Sequence, residues 1–174
     1  MQLLAATCVH LEYYFIIVAS VYIESSVISY LVARPSRDVV IAARQAITET
    51  WWRERRTDFD LYISALVLNE IGRSDTEAAE RRLKAVEGIP LLATSAEAQN
   101  LAEDLVAQGA VLVNNEEDTL HIGLATAAGM NFLLTWNFKH INNAYTKAAI
   151  TAVVESNGFV CPMLCSPEEL GVEI

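Results

Sequence analysis

Val21-Tyr22-Ile23-Glu24-Ser25-Ser26-Val27-Ile28 is the stretch on which the reading of this chain turns. A short apolar run of strand character ends directly in an acid, and helix-forming residues follow at once. Val21 to Glu24 therefore reads as a buried first strand and Ser26 to Ala33 as a short helix. Arg34-Pro35 closes that helix, because a residue before proline avoids the helical region. The same kind of juncture recurs at Val67-Leu68-Asn69-Glu70, at Glu116-Glu117-Asp118-Thr119-Leu120-His121-Ile122 and at Leu133-Leu134-Thr135-Trp136-Asn137. In a chain that alternates strands with helices, ligands gather at the C-terminal edge of a parallel sheet, so acids scattered in this way can converge there. Converging carboxylates repel one another and take up protons unless a divalent cation lies between them. The pattern predicts a magnesium or manganese site, and with it phosphoryl chemistry.

Outward from these junctures the alternation continues. Ser36 reads as an N-cap, with Val40, Ala43, Ile47 and Trp51 at helical spacing to about Arg56. Leu61 to Ser64 is the second strand, followed directly by a helix carrying Glu70. Ser74-x-x-Glu77 and Thr94-x-x-Glu97 read as capping boxes on either side of a third strand, Ile89 to Ala93, with Gly88 stopping the first of the two helices. Asn115 caps a helix ending near Gly129, Phe132 to Thr135 is the fourth strand, and a helix runs from Asn143 to Ser156. Phe159 to Leu164 is the fifth strand, and Ser166-Pro167-Glu168-Glu169 caps a final turn. The expected fold is α/β: one three-layer α/β/α domain over residues 20–174 with a five-stranded, mainly parallel sheet. Residues 1–19 read as a weakly ordered N-terminal extension.

Composition narrows the function classes. The chain has 174 residues, enough for one core without disulfide or metal staples, and its 53% hydrophobic content is globular. Cys8, Cys161 and Cys165 read as reduced thiols, since the C-x3-C pair lacks partner ligands for zinc. The apolar run from Tyr13 to Ile23 falls well short of the roughly 20 residues that span a bilayer, and no Lys or Arg precedes Arg34 to start a signal peptide. A cytoplasmic protein without membrane attachment is expected. A net charge of −10 argues against general nucleic-acid binding, yet residues 1–85 hold ten basic and eleven acidic side chains whereas residues 86–174 hold two and eleven. Any polyanion should approach over the first half. Trp51, Trp52 and Trp136 read as core or interface aromatics rather than base-stacking platforms.

Glu24-Ser25-Ser26-Val27-Ile28, then Glu70, Asp118 and Thr135-Trp136-Asn137, in this order and spacing, resemble the PIN-domain family from about Val21 to about Leu170. The resemblance implies a metal-dependent ribonuclease with a five-stranded α/β/α fold, and in particular the VapC-like toxins of type II toxin-antitoxin pairs. It implies catalytic and metal-holding roles for Glu24, Glu70 and Asp118, with Asn137 at the fourth ligand position and Mg²⁺ or Mn²⁺ as cofactor. Glu24 departs from the family's usual aspartate by one methylene, and Asn137 supplies an amide where many members carry an acid. Ser26 matches a small hydroxyl residue that orients metal or phosphate, and Glu117 and His121 are further candidates around the ions.

Alternatives remain at several positions. Asp118 also fits a capping arrangement with Asn115, and Glu117 competes for its place. His121 lies one helical turn after Asp118 and either faces the site or packs in the core. Lys139 and His140, just past the fourth strand, are in reach of RNA. The implied mechanism is hydrolysis of an RNA phosphodiester by water activated on one or two ions, and no protein nucleophile is evident. The expected partners are an RNA substrate, an antitoxin and a second copy in a homodimer. A rival reading is a catalytically impaired PIN-like module that binds RNA or protein, favoured by Glu at 24 and Asn at 137. An unrelated hydrolase or phosphatase using the same acids would need a nucleophile that the sequence does not display. Charge repulsion among the acids predicts that Glu24→Gln raises the melting temperature in the absence of metal.

Overall fold

The computed structural model describes residues 18–73, 75–111 and 116–171. Its centre is β1 (Ala19–Ile23), in which Val21, Tyr22 and Ile23 are each 0% exposed, as a strand covered on both faces must be. It is followed by α1 (Ser25–Val32), α2 (Val39–Glu54), a 3₁₀ turn at Arg56–Asp58, β2 (Phe59–Ser64) and α3 (Ala65–Gly72). Then come α4 (Thr76–Ala85), β3 (Leu91–Leu92), α5 (Ala96–Ala107), α6 (Glu116–Ala127), β4 (Phe132–Leu134), α7 (Ala144–Ser156), β5 (Met163–Cys165) and α8 (Pro167–Gly171). The sheet order is β3-β2-β1-β4-β5, every pairing is parallel, and helices cover both faces to give three α/β/α layers.

That order fixes where a ligand can sit. From β1 the chain builds outward through β2 to β3, then returns to lay β4 on the other side of β1. The crevice opened by this reversal lies beyond the C-terminal ends of β1 and β4. Tyr22 pairs with Leu133 and Ile23 with Leu134, so Glu24 and Thr135 emerge side by side at that edge.

Local chemistry moved several expected boundaries. Asp38, not Ser36, caps α2: its Oδ1 accepts from Val40 N at 2.9 Å and Ile41 N at 3.0 Å, while the Ser36 hydroxyl takes the N–H of Asp38. Ser95, not Thr94, caps α5. Strand β3 is shorter than Ile89 to Ala93, because its neighbour β2 ends at Ser64, whose hydroxyl already caps α3. Strand β5 starts at Met163 instead of Phe159, since β4 begins at Phe132 and offers nothing earlier to pair with. The helix expected from about Asn143 starts at Ala144 with Asn143 as its N-cap, and the expected cap at Ser166 is present, with Glu169 reaching back to Ser166 N at 2.8 Å. Gly88, at φ +84°, ends the turn after α4. The caps expected at Ser74 and Asn115 lie outside the described residues, as do Cys8 and residues 1–17 of the expected extension, whereas Ala19 already belongs to β1. Cys161 and Cys165 are free thiols. Among the described residues no helix is long and apolar enough to cross a membrane.

Among the described residues helices α5 and α6 share the most extensive contact of any two elements. Gly123 permits it: a Cβ there would lie 2.2 Å from the carbonyl oxygen of Ala98. Helix α6 carries Asp118 and His121, so this contact sets the depth at which both reach the crevice.

Candidate functional site

Glu24 leaves β1 in an extended conformation and becomes the N-cap of α1. Its Oε1 accepts from Ser25 Oγ at 2.7 Å and Ser26 N at 3.0 Å, and its Oε2 accepts from Ser26 Oγ and from Thr135 Oγ1 at 2.6 Å. A carboxylate offers about four acceptor sites. All four are used, which lets the side chain stand only 5% exposed. Ser26 Oγ also accepts from Trp136 N at 2.9 Å, and Thr135 Oγ1 accepts from Asn137 N at 2.9 Å. The start of α1 and the loop after β4 are thus tied together through one acid.

Glu70 reaches in from α3, and the fully buried His121 from α6. His121 Nε2 lies 2.9 Å from Glu70 Oε2, and its Nδ1 lies 2.8 Å from the hydroxyl of Tyr22, which in turn lies 2.7 Å from Ser64 Oγ. Burial pulls the imidazole pKa down, but the hydrogen bond to Glu70 and the charges of Glu24, Glu70 and Asp118 outweigh it, so the ring holds its proton above the ordinary histidine range. Burial pushes the Tyr22 hydroxyl upward, keeping it neutral and able to donate.

One ligand atom from each of Glu24, Glu70 and His121 lies within 4.8 Å of the others. Among the described residues Asp118 is not a member of that group. It stands beside it, half-buried, with Oδ1 accepting from Asn137 Nδ2 at 2.9 Å. Burial pushes its carboxyl upward and the charge of Glu24 adds to this, against the opposing pull of His140 and Asn137. The expected trio of Glu24, Glu70 and Asp118 therefore has His121 in the third place. Helical phase accounts for the exchange, because both residues face the crevice from α6 but His121 sits one turn deeper.

Asn137 is oriented by the turn it belongs to. Its Oδ1 accepts from His140 N at 3.0 Å, so the nitrogen end faces Asp118. The amide oxygen expected to ligate a cation is thus engaged by backbone, and the group aimed into the site is a donor. Glu117 points elsewhere, pairing with Arg73 at 2.7 Å on the surface, and gives no support to the site. Asn137→Asp should replace the donor with a carboxylate 2.9 Å from another. The expected result is a metal-free protein about 1–3 kcal/mol less stable, with the loss recovered on adding Mn²⁺. Thermal melts of both proteins with and without Mn²⁺ check this, and an equal Mn²⁺-induced shift in the two would remove position 137 from any role in cation binding.

Neither models of known protein families nor curated proteins match the chain.

Tyr22 and Ser64 carry parts of the site that the sequence did not mark, and Thr135 was marked only as part of the Thr135-Trp136-Asn137 step, with no role of its own. A signal was available for Tyr22. A tyrosine within an otherwise apolar central strand must find a partner for its hydroxyl, and a buried histidine is one of few side chains able to meet it. Two carboxylates and an imidazole converging at a switch point form a donor set that suits a divalent cation. Binding one there would require Glu24 and Glu70 to exchange some of their present donors for it and His121 to give up the proton at Nε2 that now faces Glu70.

Proposed function

We propose that this chain is a divalent-cation-dependent endoribonuclease of PIN-like design, acting as the toxin of a type II toxin-antitoxin pair. The observation that carries the reading is the convergence of Glu24, Glu70 and His121 within 4.8 Å at the topological switch point. The choice of RNA and the toxin role rest on the resemblance of the ordered acidic motifs. The imidazole alters the expected metal. Nitrogen donors suit Mn²⁺ better than Mg²⁺, so Mn²⁺ should be the stronger activator.

When bound, the cation supplies Lewis acidity, making water nucleophilic near neutral pH and stabilising charge on the leaving oxygen. Glu24 and Glu70 would hold it, joined by His121 Nε2 once that nitrogen has lost its proton, and Tyr22 fixes the rotamer of His121 through Nδ1. Asn137 holds Asp118 at the rim of the site, where its carboxyl, raised by burial, is suited to exchanging a proton with the reacting water or the leaving group.

A second reading is supported by the saturation of Glu24: an acid whose acceptor sites are all occupied by the protein can serve purely as a structural cap, leaving a module that binds RNA or protein without cutting. Cleavage of single-stranded and structured RNA in Mn²⁺, in Mg²⁺ and in EDTA separates the two. The nuclease reading expects cleavage in Mn²⁺, less in Mg²⁺ and none in EDTA. Absence of cleavage in either metal supports the binding module, and cleavage that survives EDTA would sink the metal mechanism.

A further inference from the structure

Arg44 lies on the second turn of α2, half-buried, in a setting unlike that of most other arginines. Its guanidinium carbon sits 5.5 Å from the ring centroid of Trp136 and 4.9 Å from that of Phe138, and its Nη1 lies 3.3 Å from the hydroxyl of Tyr30. The rings are braced against each other, Tyr30 to Trp136 and Trp136 to Phe138, each with centroids 5.8 Å apart. The backbone beneath is fastened to the same stack. Thr48 Oγ1 donates to Arg44 O at 2.6 Å and accepts from Trp136 Nε1 at 2.8 Å.

Charge makes the arrangement unusual. In a protein of net charge −10, Arg34, Arg53, Arg55, Arg73 and Arg81 each pair with a carboxylate. Among the described residues no carboxylate pairs with Arg44, and the Tyr30 hydroxyl takes only one of its five N–H donors. Position gives those donors a use. Trp136 lies between Thr135, which holds Glu24, and Asn137, which holds Asp118, so the guanidinium is mounted on the loop that frames the candidate cation site. Arg56 also stacks, over Trp52, but it precedes β2 and so lies toward the opposite edge of the sheet.

We propose that Arg44 is a substrate-binding residue that holds a phosphate of the RNA strand beside the cation site, with the aromatic stack fixing its planar fork in advance. A guanidinium lodged against braced rings keeps its remaining N–H donors for bidentate contact with phosphate oxygens and loses little side-chain freedom on binding. The proposal rests on the nuclease reading.

The test uses the full chain with Arg44→Met, Arg44→Lys and, as a control, Arg56→Met. Affinity for a labelled single-stranded RNA is measured in EDTA across a salt series, and KM and kcat in Mn²⁺. Arg44→Met should raise KM about tenfold and reduce the slope of log affinity against log salt by about 0.7, the loss of one phosphate contact on a single strand. Arg44→Lys, which keeps the charge and loses the fork, should restore the slope but not the KM, and Arg56→Met should behave as wild type. A merely structural stack predicts a lower melting temperature with unchanged slope and KM. That result in either Arg44 variant that folds would overturn the proposal while leaving the nuclease reading intact. Wild-type protein that neither binds nor cleaves the RNA would remove both.

Discussion

Glu24→Gln is expected to lower metal-dependent cleavage by at least about a hundredfold, since even the outer partners of a metal ligand are worth roughly 10–100-fold. The same substitution should also lower the melting temperature without metal. This reverses the sign that charge repulsion alone predicts. Glu24 meets four donors, namely the Ser25 hydroxyl, the Ser26 N–H, the Ser26 hydroxyl and the Thr135 hydroxyl. A glutamine places an NH₂ where one oxygen now accepts two of them, leaving buried donors facing a donor at about 1–3 kcal/mol each. For a chain of this length each kcal/mol corresponds to about 2–4 °C. Melting curves of wild type and variant in EDTA read the structural effect, and the same curves with Mn²⁺ read the cation. A metal-free melting temperature above that of wild type would mean that repulsion, not capping, governs Glu24.

Gly123→Ala is expected to meet the worst steric clash of any Gly→Ala substitution in the chain. The new Cβ would lie 2.2 Å from the oxygen, 3.1 Å from the carbon and 3.5 Å from the Cα of Ala98, all backbone atoms that cannot rotate aside. Helices α5 and α6 must then separate. Overpacking of this kind costs about 1–3 kcal/mol and occasionally more, while the gain in helix propensity returns at most about 1 kcal/mol. A net loss of about 2 kcal/mol or more follows. Activity should fall further than stability, because moving α6 displaces His121 and Asp118 together. Gly72→Ala provides the comparison, since nothing lies within 4 Å of its added Cβ. Equal melting temperatures for Gly123→Ala and Gly72→Ala would show that the two helices can part without cost.

Local signals in the sequence were enough for five strands and their helices to be placed in three layers, though not for the order of the strands in the sheet. Acids directly after apolar runs marked the crevice edge, and Asn143 and the Ser166–Glu169 pair marked helix starts that are present. Glu24 and Glu70 were legible because a strand end or the first helix after it leaves few places for an acid to point. Which α6 residues face inward was not legible, because 100° of helical phase separates Glu117 on the surface from Asp118 beside the site, and an N-cap one residue earlier or later exchanges their places. The orientation of Asn137 depends on a backbone N–H three residues later, and the link from Tyr22 to His121 joins residues 99 positions apart. Gly123 carries no pattern at all, since its importance comes from a neighbour on another helix.

Thr135 is joined to Glu24 across 111 positions of sequence. A ribosome adds about 5–20 residues per second, so roughly 5–20 seconds pass between the making of Glu24 and that of Thr135. Throughout that interval β1 has no β4 beside it, and the crevice between β1 and β4 has only one wall. A nascent chain therefore cannot close the crevice before β4 has been made. Whatever the crevice holds must therefore wait until β4 has joined β1, however early the Glu24 side of it has folded.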